Sequence, residues 1–144
     1  MVEQDTIKLL RECDAGIQMG VKSIEDVLPK VENEELKNIL RTAEEDHNKL
    51  DKKLRELLDE YHDAGKDPNP IAQGMSWMKT MGMMMIDGSD ATIADLMTDG
   101  CNMGVKSLSK YLNQYAAADE KSKNITKDLI SLEEKMAVSM RGYL

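Results

Sequence analysis

The sequence predicts an all-α fold, a four-helix bundle built from a duplicated helical hairpin. Four long segments place apolar residues at spacings of three and four, and a nine-residue motif occurs twice. No segment shows the alternation of β-branched residues that a strand requires. With 144 residues the chain is long enough to bury one shared core, so we expect a single domain spanning 1–144.

Each of the four segments carries one apolar stripe, the pattern of an amphipathic helix. The second is the most regular, since its apolar positions alternate steps of four and three from Leu36 to Tyr61. We expect it to follow Asn33, a good N-cap, and to stop near Ala64-Gly65, ahead of two prolines. The stripe of the first helix is Leu10, Cys13, Ile17, Val21, Ile24, Leu28 and Val31. The third helix is expected to start at Ser89 or Asp90, and its stripe is Ile93, Met97, Cys101, Val105, Leu108, Leu112 and Tyr115. The fourth helix is expected to follow Asp119, and its stripe is Ile125, Leu129, Leu132, Met136, Met140 and Tyr143.

An internal repeat predicts the architecture. Residues 16–24, GIQMGVKSI, match residues 100–108, GCNMGVKSL, at six of nine positions. The partner helices also align, and this second alignment pairs His47 with Met136. We therefore expect two hairpins, residues 3–62 and 89–143, that bury their stripes against each other, with residues 63–88 as the crossover between them.

Glycines occupy repeat-related positions inside two of the predicted helices: Gly16 and Gly20, then Gly100 and Gly104. The motif is not a phosphate-binding loop, which needs four residues between its glycines and a lysine directly after the second. Glycine inside a helix costs about 1 kcal/mol relative to alanine. These positions therefore predict a packing role, in which two helix backbones approach each other closely.

The crossover contains a methionine-rich stretch, residues 71–86, with six methionines around Trp77. Its composition predicts an extra short helix. Because methionine fills irregular gaps and suits interfaces that re-pack, we expect this segment to pack on the bundle or to join chains into a homo-oligomer.

Charge and composition exclude several kinds of partner and location. The net charge of −8 argues against nucleic acid and against an anionic membrane surface. No apolar run approaches the roughly 20 residues of a membrane span. The first residues do not resemble a signal peptide, and Cys13 and Cys101 are expected to be free buried thiols, so we expect a cytoplasmic protein.

His47 interrupts the otherwise apolar stripe of the second helix, and Glu44 lies on the same helical face three residues earlier. In four-helix bundles, Glu-x-x-His motifs together with further glutamates hold pairs of iron or manganese ions. With its duplicated hairpin, long crossover and one Glu-x-x-His, the chain resembles the ferritin-like superfamily. The resemblance implies a ferritin-like bundle and a metal site using Glu44, His47 and Glu133.

The second hairpin departs from the ferritin-like pattern. Its corresponding motif reads EEKM at 133–136, so Met136 stands where a second histidine belongs. Ile17 and Cys101 stand near the positions where that family has further glutamates. Of the six ligands expected for a dinuclear site, only Glu44, His47 and Glu133 have candidates, so such a site is not expected.

We therefore predict a non-catalytic bundle, without a cofactor, that acts as an oligomerising, binding or stress-related accessory protein. In this interpretation His47 is buried and hydrogen-bonded to a carboxylate or a hydroxyl on a facing helix, with Glu133 as the natural candidate. One alternative is a reduced iron, manganese or zinc site at Glu44, His47 and Glu133. Another is a soft copper site that combines Cys101, Met136 and His47.

Overall fold

The computed structural model describes residues 2–66 and 88–144. Within these two ranges all regular structure is helical and no strand occurs, which confirms the prediction of an all-α bundle. The helices are α1 (Val2–Val27), α2 (Glu34–Glu60), α3 (Asp90–Gln114) and α4 (Glu120–Met140), with short 3-10 helices at Leu28–Lys30 and Arg141–Tyr143.

Two predictions are not tested by the described helices. The methionine-rich segment 71–86 lies outside the described ranges, so its helix and its role in self-association stay predictions. The duplicated frame, with hairpins 3–62 and 89–143, also stays a prediction. None of the helices that the structure describes is long and apolar enough to cross a membrane.

Three helices begin where the sequence predicts, each after a residue whose side chain caps the first turn. Such a side chain accepts a hydrogen bond from a backbone N–H that has no partner within the helix. The caps are Asn33, which accepts from Leu36 N at 3.1 Å; Ser89, which accepts from Thr92 N at 3.1 Å; and Asp119, which accepts from Ser122 N at 2.8 Å.

Helix α2 ends at Glu60, earlier than the expected stop near Ala64-Gly65. His62 adopts a left-handed backbone conformation with φ of 54°, which turns the chain out of the helix. The N–H of Asp63 then bonds to the carbonyl of Leu58 at 2.9 Å. Histidine is an uncommon residue for this conformation, so the sequence pointed to the glycine instead.

The helices follow one another around the bundle in the order α1, α2, α4, α3. Helix α1 packs on α2, α2 on α4, and α4 on α3, while the α1–α3 side is the most loosely packed of the four. Helices α2 and α3 therefore lie diagonally opposite each other. The open side between α1 and α3 is where the candidate site lies.

The buried apolar residues form two separate clusters along the bundle. One is built from Ile24, Val27, Val31, Leu36, Leu40, Ala43, Ile93, Ala94, Leu96, Met97, Cys101, Met136 and Met140. The other is built from Leu10, Cys13, Ile17, Leu54, Leu57, Leu58, Leu108, Ile125 and Leu129. On every helix the residues between the two clusters belong to the middle of the bundle.

The chain that follows α2 is fixed by Asp14, a buried acid on α1. Its Oδ1 accepts a hydrogen bond from Arg55 Nη2 at 2.5 Å, and its Oδ2 accepts one from Lys66 N at 2.8 Å. Gly65, with φ of 86°, passes so close that a Cβ there would collide with Asp14. One carboxylate thus joins α1, α2 and the segment that leaves α2.

Replacing Asp14 with alanine should lower the free energy of unfolding by about 2–3 kcal/mol, because Lys66 N–H and the Arg55 guanidinium both lose their acceptor. Urea denaturation measures this change. Asp26 provides the control, since it is an exposed acid on the same helix, 3.7 Å from Lys22. Asp26→Ala should change the free energy by less than about 0.5 kcal/mol, and equal losses in the two variants would contradict the prediction.

Candidate functional site

Four residues, one from each helix, meet between the two apolar clusters, and we call them the central layer: Gly20, His47, Gly104 and Glu133. On each helix the layer residue is flanked by members of both clusters, as Gly104 is by Cys101 and Leu108. The side chain of His47 faces Gly20 and bonds to Glu133, which in turn faces Gly104. Two ionisable side chains therefore meet two glycines inside the bundle.

Both ring nitrogens of His47 are engaged, and the side chain is fully buried. Nδ1 lies 2.6 Å from the carbonyl oxygen of Ala43, and Nε2 lies 2.8 Å from Glu133 Oε1. A carbonyl oxygen only accepts, so Nδ1 carries a proton. A second proton must lie between Nε2 and Oε1, since two lone pairs would otherwise face each other. The pair is therefore neutral as a whole, and the predicted bond between His47 and Glu133 is confirmed.

The pKa of His47 identifies where the shared proton sits. Burial lowers this pKa, but the hydrogen bond to Glu133 and the negative charge of its carboxylate outweigh burial. The net result is a pKa above the usual value for histidine. The contact with Glu133 therefore favours the form in which the shared proton lies on His47 Nε2.

The central glycines make room for this pair. A Cβ on Gly20 would lie 2.8 Å from Nε2 and 3.0 Å from Cδ2 of His47, whereas one on Gly104 would lie 3.7 Å from Glu133 Oε2. A Cβ on Gly16 would meet the side chain of Leu129, also at 3.7 Å. At these three positions the nearest neighbours are side chains, so the expectation that two helix backbones approach closely at the glycines is wrong.

Helices α1 and α3 instead border a groove of about 190 Å³. Small residues line both walls, and His47 and Glu133 lie at its floor together with Leu129 and Met136. Most of the remaining lining is apolar, including methionines from both walls. We call the four glycines of the walls the groove glycines: Gly16 and Gly20 on α1, and Gly100 and Gly104 on α3.

The sequence analysis missed this groove, although the repeat contained its signal. In both copies the second glycine is followed by a serine at the third position, Ser23 in α1 and Ser107 in α3. Steps of four and three keep these small residues on one helical face. The residues of both copies line the groove, so the repeat predicts two walls of similar shape.

The two cysteines are free and buried, as the sequence predicts. Cys13 Sγ lies 3.1 Å from Thr126 Oγ1, whose own proton bonds to the carbonyl of Ser122, so the thiol is the donor. Burial raises the pKa of the Cys13 thiol to about 12. Cys101 lines the groove beside Glu133, and burial and the charge of that carboxylate raise its pKa too. Both are neutral thiols near pH 7 and poor nucleophiles.

The structure brings together two of the three residues predicted to bind metal. His47 and Glu133 are in contact, whereas Glu44 is partly exposed on α2 and does not line the groove. The alternative copper set, Cys101, Met136 and His47, does line the groove. Whether either set binds a metal ion stays a prediction.

The donor arrangement does not fit the dinuclear carboxylate centre of ferritin-like proteins. His47 has no ring lone pair left, because one nitrogen donates to Ala43 and the other shares its proton with Glu133. In the described parts of the chain, no three His, Cys, Asp or Glu side chains are grouped to hold a metal ion. We therefore derive no chemistry from such a centre.

Comparisons with protein-family models, with curated protein sequences and with solved structures give no match. The resemblance to the ferritin-like superfamily therefore rests on the duplicated hairpin and the single Glu-x-x-His motif alone.

Alanine substitutions at the two central glycines should have opposite effects on stability. Gly20→Ala places a methyl group against a histidine ring that is fixed at both nitrogens, and should lower the free energy of unfolding by about 1–3 kcal/mol. Gly104→Ala meets only ordinary contacts, so better helix propensity should make it neutral or stabilising by up to about 1 kcal/mol. Chemical denaturation measures both, and each variant is the matched control for the other. Changes of the same sign and size would contradict the described contacts.

The raised pKa of His47 predicts how stability depends on pH. Its contribution is complete below the pKa of histidine in the unfolded chain, about 6.5, and is lost as pH rises through the folded value. The free energy of unfolding should therefore fall as pH rises above about 6.5. In Glu133→Gln burial acts without the opposing charge, so the pKa of His47 should be lowered and stability should be lost as pH decreases instead.

Denaturation curves between pH 5.5 and 8.5, roughly one pH unit below to two above the unfolded pKa of histidine, measure the two slopes. Glu134→Gln is the control, because it removes the same charge from an exposed neighbouring residue. The control should keep the slope of the unmodified protein. A Glu133→Gln slope identical to that of the control would show that the pair does not govern this dependence.

Proposed function

We propose that this protein is a non-catalytic binding protein, which holds a small molecule in the groove between α1 and α3. Small-molecule sites are concave, mostly apolar and supplied with a few polar groups that fix the orientation of the ligand. The groove fits this description, because apolar and small residues line it and the pair of His47 and Glu133 lies at its floor. Two free buried thiols favour a reducing compartment, so we place this role in the cytoplasm.

The observation that carries the proposal is a buried charged pair at the floor of an apolar groove. Glu133 is 9% exposed and His47 is 0% exposed. Exchange of a buried ion pair for apolar side chains of similar volume is often neutral or stabilising, so stability gives little reason for the pair. Recognition of a ligand provides a reason, since the groove gives access to the Glu133 carboxylate.

The chemistry of the groove residues favours binding over catalysis. Burial raises the pKa of the Cys101 thiol, so the one thiol in the groove is protonated at neutral pH. His47 could not easily accept a proton from a substrate, because both of its nitrogens already hold protons in hydrogen bonds. A nucleophile with a free base beside it is the usual requirement for covalent catalysis.

Binding can be tested by screening small, neutral aromatic and aliphatic compounds against ¹⁵N-labelled protein. Compounds that bind should shift the amide signals of the groove glycines. The signal of Gly142 should stay in place, since that glycine is exposed and has no neighbouring atom within reach of a Cβ.

A pair of serine variants on α3 supplies the control. Ser107 lines the groove, whereas Ser109 is equally half-buried on another face of the helix. Ser107→Leu should fill the groove and abolish the shifts, and Ser109→Leu should preserve them. Compounds that bind both variants equally, or that shift only amides remote from the groove, would refute the proposal.

A further inference from the structure

The acidic and basic side chains that line the groove neutralise one another in pairs. Among the described residues these side chains are Glu12 and Lys66, whose Oε1 and Nζ lie 2.7 Å apart, and His47 and Glu133, whose Nε2 and Oε1 lie 2.8 Å apart. The chain as a whole carries a net charge of −8. The groove therefore has no net charge, although the protein is strongly acidic.

A charged ligand would be unfavourable at the floor of such a groove. A cation beside Glu133 would also approach the His47 imidazolium, and an anion would approach the carboxylate. In either case a charge loses its hydration without gaining an unpaired opposite charge, which is costly in a buried site. An uncharged ligand adds no such penalty.

The pair of His47 and Glu133 offers an acceptor and no spare donor. The two N–H groups of His47 are directed to Ala43 and to Glu133, so neither is free for a ligand. Glu133 Oε1 accepts from His47, while Oε2 lies on the side of Gly104, one of the groove glycines. A carboxylate oxygen has lone pairs for more than one bond. A ligand that bonds to this pair must therefore donate a hydrogen bond to Glu133.

The volume of the groove limits the part of the ligand that it can enclose. A dry cavity of about 150 Å³ in another protein accommodates one benzene ring. The groove, at about 190 Å³, is somewhat larger. It can therefore enclose one ring with a short substituent, or about 8–10 heavy atoms.

We infer that the groove selects an uncharged molecule with an apolar body and a single hydroxyl or similar donor, which bonds to Glu133 Oε2. This inference rests on the proposed function, because it names the class of ligand for the same groove. It also gives the buried pair a purpose, since the bond from His47 to Oε1 leaves Oε2 as an acceptor on the side of Gly104.

Four compounds of matched shape test the inference on the unmodified protein: 4-methylbenzyl alcohol, 4-ethyltoluene, 4-methylbenzylamine and 4-methylbenzoate. They present a neutral donor, a methyl group, a cation and an anion on the same ring. Titrations followed at the amides of the groove glycines give the four dissociation constants. The alcohol should bind about tenfold more tightly than the hydrocarbon, and at least about tenfold more tightly than either ion.

A double variant isolates the acceptor. His47→Leu combined with Glu133→Leu makes the floor apolar, so the alcohol should lose its advantage while 4-ethyltoluene still binds. Glu134→Gln, on the exposed face, should leave all four affinities unchanged. If the double variant does not fold, the ranking of the four compounds on the unmodified protein still decides the matter.

The outcomes separate the two proposals. If none of the four compounds shifts the groove glycines, ligand binding in the groove is refuted together with the inference. The compounds could instead bind in another order of affinity. If the amine or the benzoate binds at least as tightly as the alcohol, or if the hydrocarbon binds as tightly as the alcohol, the groove is a binding site but the inference about ligand class is overturned.

Discussion

The hydrogen bond between His47 and Glu133 is the constraint on which the rest of the described structure depends. It places two ionisable side chains in the middle of the bundle, between the two apolar clusters of the core. The helices that face the pair must have small residues at that level. Gly20 leaves space for the imidazole ring, and Gly104 lies beside the carboxylate. Because glycine and serine continue along the same faces of α1 and α3, the two helices are separated by a groove instead of a packed seam.

The pair is neutral, and this property explains how an acidic protein tolerates it in its interior. Each member removes most of the desolvation penalty of the other, because the charges are in contact and hydrogen-bonded. Ala43 satisfies the remaining nitrogen of the ring. The same arrangement leaves the outer oxygen of Glu133 as an accessible acceptor at the floor of the groove. Glu133 therefore bonds to His47 in the core and also lines the groove, where the proposed function assigns it the polar contact to a ligand.

The sequence repeat gives the two walls of the groove similar residues, whereas the polar residues at its floor differ between the two copies. Gly16, Gly20 and Ser23 recur as Gly100, Gly104 and Ser107, and all six line the groove. The two members of the polar pair, His47 and Glu133, in contrast come from positions that do not correspond. In the aligned repeats Glu133 matches Glu44, and Met136 matches His47. Glu44 is partly exposed, while Glu133 is buried against the histidine. Two walls of similar sequence thus flank one polar pair that has no counterpart in the repeat, so the two sides of the groove differ at the floor.

The sequence by itself determined the helices and the identity of the buried pair. Periodicity of three and four fixes which face of α2 is buried, and His47 cannot leave that face without displacing Leu40, Leu54 and the other residues in phase with it. A buried imidazole needs partners, so a carboxylate on a facing helix could be anticipated. Only the tertiary structure decided that Gly16, Gly20 and Gly104 face side chains beside a groove, that Glu44 lies apart, and that α2 ends at Glu60. These features depend on the distance between α1 and α3 and on one backbone torsion. The residue pattern of a single helix encodes neither feature, because both depend on contacts with the parts of the chain that pack against that helix.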